Sequence, residues 1–468
     1  MGRKIAILAQ VPRDPVSAER RIPEQFAGRY RCRPLFGASF RTVVVARLAD
    51  LPPHQRLIAA LLRDDGAEAG RLIETSGDRL ADGFCFDPAT GALPALLYAR
   101  LVESRLSESF SRLRTSDGSD ALALIRNAAA DASVKHARFN EFLGELLGIT
   151  AGLRVLFLKG TVFARSLYDE PQQRLSQDFD LLVAQDEAAV VVERLTTAGF
   201  RVEWRDPGHC HQAGVGPSGS LENLSLRPSP LLAPCHNLTL RREGWPYVEL
   251  KFDPLETGMR MRELDRLFAD ARAIEWDGCS LPAPDLLDHL LLSLTHLHKH
   301  GFLGWMWLYD IHLMAPRIAG DEALWGELAR RSAVEGVEAS AWAALDLARD
   351  RLSTPVPDWL LERLAPPSRN PLRRQLAYCV STEFLWNSAS LPMLALNAWL
   401  LGDGQRKRSA LRQVICPSSS FLESYYAGGR HVSRWQRPFV LMLHWLVVLL
   451  PGGLVRRTFG RLFWKAPG

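Results

Sequence analysis

The tightest constraint on this chain lies between Arg154 and Val183, where two strand-like runs bracket a segment of helix length. The first run, Arg154-Val155-Leu156-Phe157-Leu158, is short and apolar, and it stops at Lys159-Gly160, where a helix is expected to begin. A turn that opens a helix points free backbone N–H groups and the positive end of the helix dipole at one place. Such a place holds anions. Gly160 presents no side chain to keep a phosphate away, and Lys159 adds a cation. Thr161 to Tyr168 reads as the helix, and Asp169-Glu170-Pro171 opens a polar loop that runs through Arg174 to the second strand. In that strand Phe179, Leu181 and Val183 alternate with Asp178, Asp180 and Leu182, so the two-residue period sets both carboxylates on one face. Neighbouring carboxylates repel, and a shared divalent cation with oxygen ligands, Mg²⁺ or Mn²⁺ carrying a nucleotide's phosphates, resolves the repulsion. A bare Asp-x-Asp is a weak signal that suits a solvated strand end equally well. The anion-type turn one helix upstream gives it weight.

A second pair of strands follows the same logic. His236-Asn-Leu-Thr-Leu and Tyr247-Val-Glu-Leu-Lys-Phe-Asp read as paired strands around Glu243-Gly244. In the latter, Val248, Leu250 and Phe252 alternate with Tyr247, Glu249 and Lys251, which puts Glu249 on the polar face beside Lys251.

Lys159-Gly160, Leu167-Tyr168, Pro171, Arg174 and Asp178-x-Asp180-Leu-Leu-Val together resemble the uncharacterised nucleotidyltransferase family, a branch of the polymerase-beta-like nucleotidyltransferase superfamily. The resemblance spans roughly residues 120 to 320 and says nothing of residues 1 to 110. It implies an α+β fold: a short mixed sheet with helices as the catalytic core, then a mostly helical domain. It also implies a Gly-containing turn for the nucleotide phosphates and an Asp-x-Asp pair plus a third carboxylate for the metal. By that resemblance Asp178, Asp180 and Glu249 are the catalytic and metal-binding candidates, and Lys159, Gly160, Thr161, Arg174, Lys251 and Lys299 the nucleotide-binding ones. His236, His296 and Asp310 are secondary candidates on the substrate side. Arg174 either holds phosphate or pairs with an acid to order its loop. The chain departs from the family at Lys251, where the usual Val-Glu-Leu-His motif ends in lysine. That fixed charge either grips a phosphate or competes with the metal.

At 468 residues the chain is long enough for two to four units. Residues 1–115 are expected to form a small α+β module of unassigned role, with strands at Ile5–Leu8, Thr42–Val45 and Phe84–Phe86 and a helix over His54–Leu62. Ser116 to Ser119 is a linker, 119–281 the catalytic core opening with a helix from Ala121 to Leu147, 282–400 a helical domain, and 401–468 a basic, apolar tail. A helix over Glu187–Ala198, a strand over Phe200–Trp204 and a long loop over Pro207–Pro234 holding His209 and His211 fill the interval.

Fifty-seven basic against 52 acidic residues leave a net charge of +5, which suits an anionic ligand. No aromatic and basic stripe accompanies it, so nucleic acid is not favoured as a partner. Seven cysteines without a Cys-x-x-Cys argue against a disulfide framework and a cysteine zinc site, and His296 and His300, four apart, have no third ligand at a motif distance. The N-terminus lacks the apolar stretch of a signal peptide, so a cytoplasmic location is expected. In the tail, Phe439 to Leu450 is apolar except for His444 and ends at Pro451-Gly452-Gly453, short of the about 20 residues a membrane span requires. A core helix is the preferred reading of it. Flanking Arg434, Trp435, Arg437, Arg456, Arg457, Arg461, Trp464 and Lys465 suit the other, a peripheral contact with anionic lipid. The expected activity is Mg²⁺-dependent transfer of a nucleotidyl group from a nucleoside triphosphate to an unidentified acceptor. The alternative, raised by Lys251, is a nucleotide-binding module without turnover that acts as a partner or docking protein.

Overall fold

The computed structural model describes residues 48–87, 92–202, 237–255, 261–276, 278–299, 302, 304–365, 422 and 432–449. The expected strands at Ile5–Leu8 and Thr42–Val45, the loop with His209 and His211, and His236 lie outside these residues.

The first described segment is helical: α1 (Pro53–Leu62), α2 (Gly66–Ser76), α3 (Asp78–Phe86), α4 (Pro94–Glu103) and α5 (Ser107–Ser111). Two of the starts have a clear local cause. α1 opens with proline in its first turn, and the Asp65 side chain accepts from the Glu68 N–H to cap α2. The strand expected at Phe84–Phe86 is the end of α3 instead. Leu80, Ala81 and Phe84 recur at helical spacing and are buried, with Phe84 edge-on to Phe110 at 5.2 Å, so tertiary packing overrides the local preference of aromatic residues for strands. The described residues of this part of the chain are helical, and the other two strands expected of the α+β module over residues 1–115 lie outside them. It joins the C-terminal helices through the Arg63 guanidinium, which donates to the Arg351 carbonyl, and the Leu48 N–H, which donates to Asp350.

The linker Ser116–Ser119 is a tight turn held by Thr115 and Asp117, and Asp120 then caps α6 (Ala121–Thr150) by accepting from the Ala123 N–H. One face of α6, with Phe139, Leu143 and Leu146, is buried. It covers a five-stranded mixed sheet in the order β1 (Val155–Phe157), β2 (Asp178–Val183), β5 (Tyr247–Lys251), β4 (Asn237–Arg241), β3 (Arg201–Val202). The β2–β5 pair is parallel and the other pairs are antiparallel. Phe139 stacks on Phe179 with ring centroids 4.0 Å apart, and this fixes which face of β2 turns inward. Between the strands run α7 (Gly160–Ser166), a 3₁₀ turn at Pro171–Gln173, and α8 (Ala188–Thr197).

Beyond the sheet come α9 (Leu264–Ala269) and a hairpin of β6 (Arg272–Trp276) and β7 (Cys279–Ala283), which sequence reasoning did not foresee. Pro282 belongs to β7, and the helical part follows with α10 (Leu286–Lys299), α11 (Trp305–Met314), α12 (Glu322–Glu335), α13 (Glu338–Leu352) and α14 (Asp358–Leu364). Arg331 of α12 contacts both Asp285 and Asp288 and so ties that helix to the start of α10. In the tail, α15 (Arg437–Leu449) exposes Phe439 and Met442 by 71% and 52%, with Trp435 just before it 86% exposed, which runs against the preferred reading of a core helix for the side chains that are described. No helix among the described residues is long and apolar enough to cross a membrane.

Candidate active site

Strand register brings the carboxylates together. In the parallel β2–β5 pair Asp180 lies opposite Glu249, and Asp178 is two residues before Asp180 on the same face. Phe179, Leu181, Val248 and Leu250 point to the other face and are completely buried, so the core holds the polar face in place. One oxygen from each of Asp178, Asp180 and Glu249 lies within 4.8 Å of the others. Among the described residues this is the grouping close enough to hold a metal ion. Burial, then the nearby Asp180 and Glu249 carboxylates, push the Asp178 carboxyl up to about 7, against the pull of Lys251 and Lys159. An oxygen-rich, over-negative cluster of this kind can hold a divalent cation.

Two buried lysines face it. Lys251, two residues after Glu249 on β5, has its Nζ 3.0 Å from Asp180 Oδ1 and 3.3 Å from Glu249 Oε2. Lys159 Nζ is 3.9 Å from Asp180 Oδ2 and 2.9 Å from His296 Nδ1, which brings α10 beside the strand ends. Trp307 of α11 meets the His296 ring edge-on at 5.1 Å. His296 thus stands against a lysine, and His300 lies outside the described residues. The Lys159 backbone has φ 51° and ψ −121°, a conformation L side chains rarely adopt, at the point where β1 turns into α7. Such strain persists only where the surroundings impose it. Here the Leu158 N–H donates to the Asp180 carbonyl on one side and Gly160 enters the helix on the other.

Gly160 has a packing role that the sequence did not disclose. A Cβ there would collide with the Ser176 side chain and lie 3.2 Å from Arg174 Nη1. The space its missing side chain leaves is filled by the loop between α7 and β2, which closes onto the helix start. Arg174 in that loop is buried and donates through Nε and Nη2 to both oxygens of Asp310, at 2.9 to 3.2 Å, and through Nη1 to the Leu175 carbonyl. The Tyr168 hydroxyl donates to the same Asp310 at 2.8 Å. Burial pushes the Asp310 carboxyl up while Arg174 pulls it down. Of the two roles open to Arg174, this geometry is that of loop ordering, with Asp310 as the acid.

Thr161 is buried, and its hydroxyl has no hydrogen-bond partner among the described residues. Lys299 is the last residue of α10, and its side chain lies outside what the structure describes. Sequence reasoning missed Thr239. It lies opposite Glu249 in the antiparallel β4–β5 pair, fully buried, with its hydroxyl unpartnered among the described residues. The strand itself was legible, but which of its residues shares a face with Glu249 depends on register. Tyr168, noted only as part of a motif, proves to be a second anchor for Asp310.

A family described as uncharacterised nucleotidyltransferase matches residues 90–353, more than half of the chain and wider on both sides than the stretch from 120 to 320. No curated protein matches the chain.

Proposed function

The chain belongs to the uncharacterised nucleotidyltransferase family, and from that premise we infer that it moves a nucleotidyl group from a nucleoside triphosphate, ATP among the candidates, to an acceptor hydroxyl. The observation that carries this reading is the carboxylate triad on two adjoining parallel strands, set beside buried lysines. Asp178, Asp180 and Glu249 are the residues that would hold Mg²⁺ or Mn²⁺. A divalent ion there would neutralise the triphosphate and favour departure of pyrophosphate. In the reaction the acceptor oxygen forms a bond to the α-phosphorus, the bond from that phosphorus to the bridging oxygen breaks, and pyrophosphate leaves with the electron pair. Glu249 takes the hydroxyl proton. Lys159 and the N–H groups at the start of α7 hold the triphosphate, with Gly160 and Thr161 supplying that turn. Arg174 acts through Asp310 to keep the preceding loop closed. Catalysis of this kind is chiefly positioning and charge neutralisation.

One observation supports a second reading. Lys251 already lies within ion-pair distance of Asp180 and Glu249, and such a cation favours a module that binds nucleotide without turning it over. The test is metal-dependent release of pyrophosphate from each of the four nucleoside triphosphates, with Asp178→Asn and Asp180→Asn as controls. Release that both substitutions abolish supports the transferase. Nucleotide binding with no release under any condition supports the module.

A further inference from the structure

We propose that the segment from Arg434 to Leu449 is a docking surface for an anionic lipid bilayer, independent of the nucleotide site. Three observations converge on it. The first is apolar exposure. Outside this segment, the exposed large apolar side chains among the described residues are three scattered valines, Val102, Val134 and Val190. Within it Trp435, Phe439 and Met442 are more than half exposed and Trp445 is 43% exposed. Phe439, Met442 and Trp445 recur every three residues on α15, so they lie along one slowly turning stripe of the helix. A concentrated apolar stripe of this kind marks a contact, whereas single exposed valines do not.

The second observation is charge, which selects the partner. Arg434 and Arg437 are exposed at the start of the helix, beside Trp435. The sequence has no aspartate or glutamate after Glu423, yet Arg430, Arg434, Arg437, Arg456, Arg457, Arg461 and Lys465 all follow it. A single-sign basic stretch interleaved with tryptophan and phenylalanine is complementary to negatively charged headgroups over acyl chains. A second copy of the same segment would bring like charges together.

The third is length. α15 runs for 13 residues, about 20 Å, against about 30 Å for the hydrocarbon layer. The helix therefore lies in the interface, with Trp435 at headgroup depth and Phe439 and Met442 reaching the acyl boundary.

The experiment uses the full chain, co-sedimented with vesicles of phosphatidylcholine alone and of phosphatidylcholine with about one third phosphatidylserine, at low and high salt. The same assay is run on Trp435→Ser/Phe439→Ser and on Arg434→Glu/Arg437→Glu, with a thermal melt of each protein. The expected result is binding to the anionic vesicles only, weakened by salt, and reduced more than tenfold in both variants at unchanged melting temperature. Equal binding by wild type and variants overturns the proposal, as does equal binding to both vesicle types. A lower melting temperature in the serine variant would show that the chain itself covers this face. Self-association that the serine variant abolishes, without vesicle binding, would assign the face to a second copy. Either result also overturns it.

Discussion

Lys251→Met separates the two roles open to the lysine in the carboxylate cluster. The substitution keeps the unbranched shape of a side chain that is only 2% exposed and removes its charge. Nζ lies 3.0 Å from Asp180 and 3.3 Å from Glu249, and at an effective dielectric constant of about 20 each attraction is worth about 5 kcal/mol before desolvation. Desolvation of the buried ammonium offsets much of that. The net cost of removing one partner from a buried ion pair is about 3–5 kcal/mol, because the other charges are left uncompensated. The metal-free variant should therefore unfold at a lower denaturant concentration than the wild type. A divalent ion should then bind it more tightly, since of the two lysines facing the cluster Lys159, 3.9 Å from Asp180, is the one that remains. We expect a dissociation constant at least tenfold lower, about 1.4 kcal/mol. Calorimetric titration with Mn²⁺ gives the affinity, and denaturant melts with and without the ion show whether metal closes the stability gap. An affinity equal to or weaker than wild type would refute the reasoning, and Lys251 would then belong with the phosphate-binding groups.

Other perturbations test the supporting structure. Asp310→Ala leaves the Arg174 guanidinium buried without its carboxylate and should cost about 3–5 kcal/mol in a denaturant melt, whereas a surface aspartate such as Asp186 should cost almost nothing when replaced. Gly160→Ala should lower stability by driving the Ser176 side chain out of its place, and adding Ser176→Gly should restore most of the loss. Equal melts for the single and double variants would mean that the close approach is unimportant. Metal affinity should strengthen by about tenfold per pH unit as pH rises towards 7 and then level off, because the Asp178 carboxyl keeps its proton up to about 7 and the ion must displace it. Titration across pH 5 to 8 checks this. His136 and His289 are held neutral by burial, their titration lowered from 6.5 to about 4. The stability they contribute is present above pH 6.5 and lost as pH falls towards 4, the unfolded chain taking up protons first. Asp178 works the other way in that window, and the two histidines outweigh it, so the denaturant midpoint should fall between pH 7 and pH 5.

The strand–turn–helix at Lys159 and the alternation of Asp178 and Asp180 were legible because each is local: a period of two, a glycine and a charge state their geometry within a few residues. Glu249 was reached through alternation and family resemblance together, and the β2–β5 register shows how it meets Asp180. What escaped the sequence is non-local. Phe84-Cys85-Phe86 looks like a strand until Leu80 and Phe110 are packed on it. Arg174 could not be paired with Asp310 from spacing, because 136 residues separate them. Gly160 was read as open towards a ligand, since nothing in a linear string shows Ser176 returning to the space beside it. The hairpin of β6 and β7 was missed because its residues are mostly exposed or half-buried and lack a clean alternation.

The parallel pairing of β2 with β5 bears on how the protein comes to be. Asp178 and Asp180 belong to one end of a long stretch of chain and Glu249 to the other, and they meet only when that stretch has closed and the two strands have found register. Closing a loop of this kind costs chain entropy before any contact rewards it, so such pairings tend to form late. An ion that needs all three carboxylates cannot nucleate the chain. It can only recognise one that has finished folding, and the appearance of tight metal binding during refolding would serve as a clock for completion of the sheet.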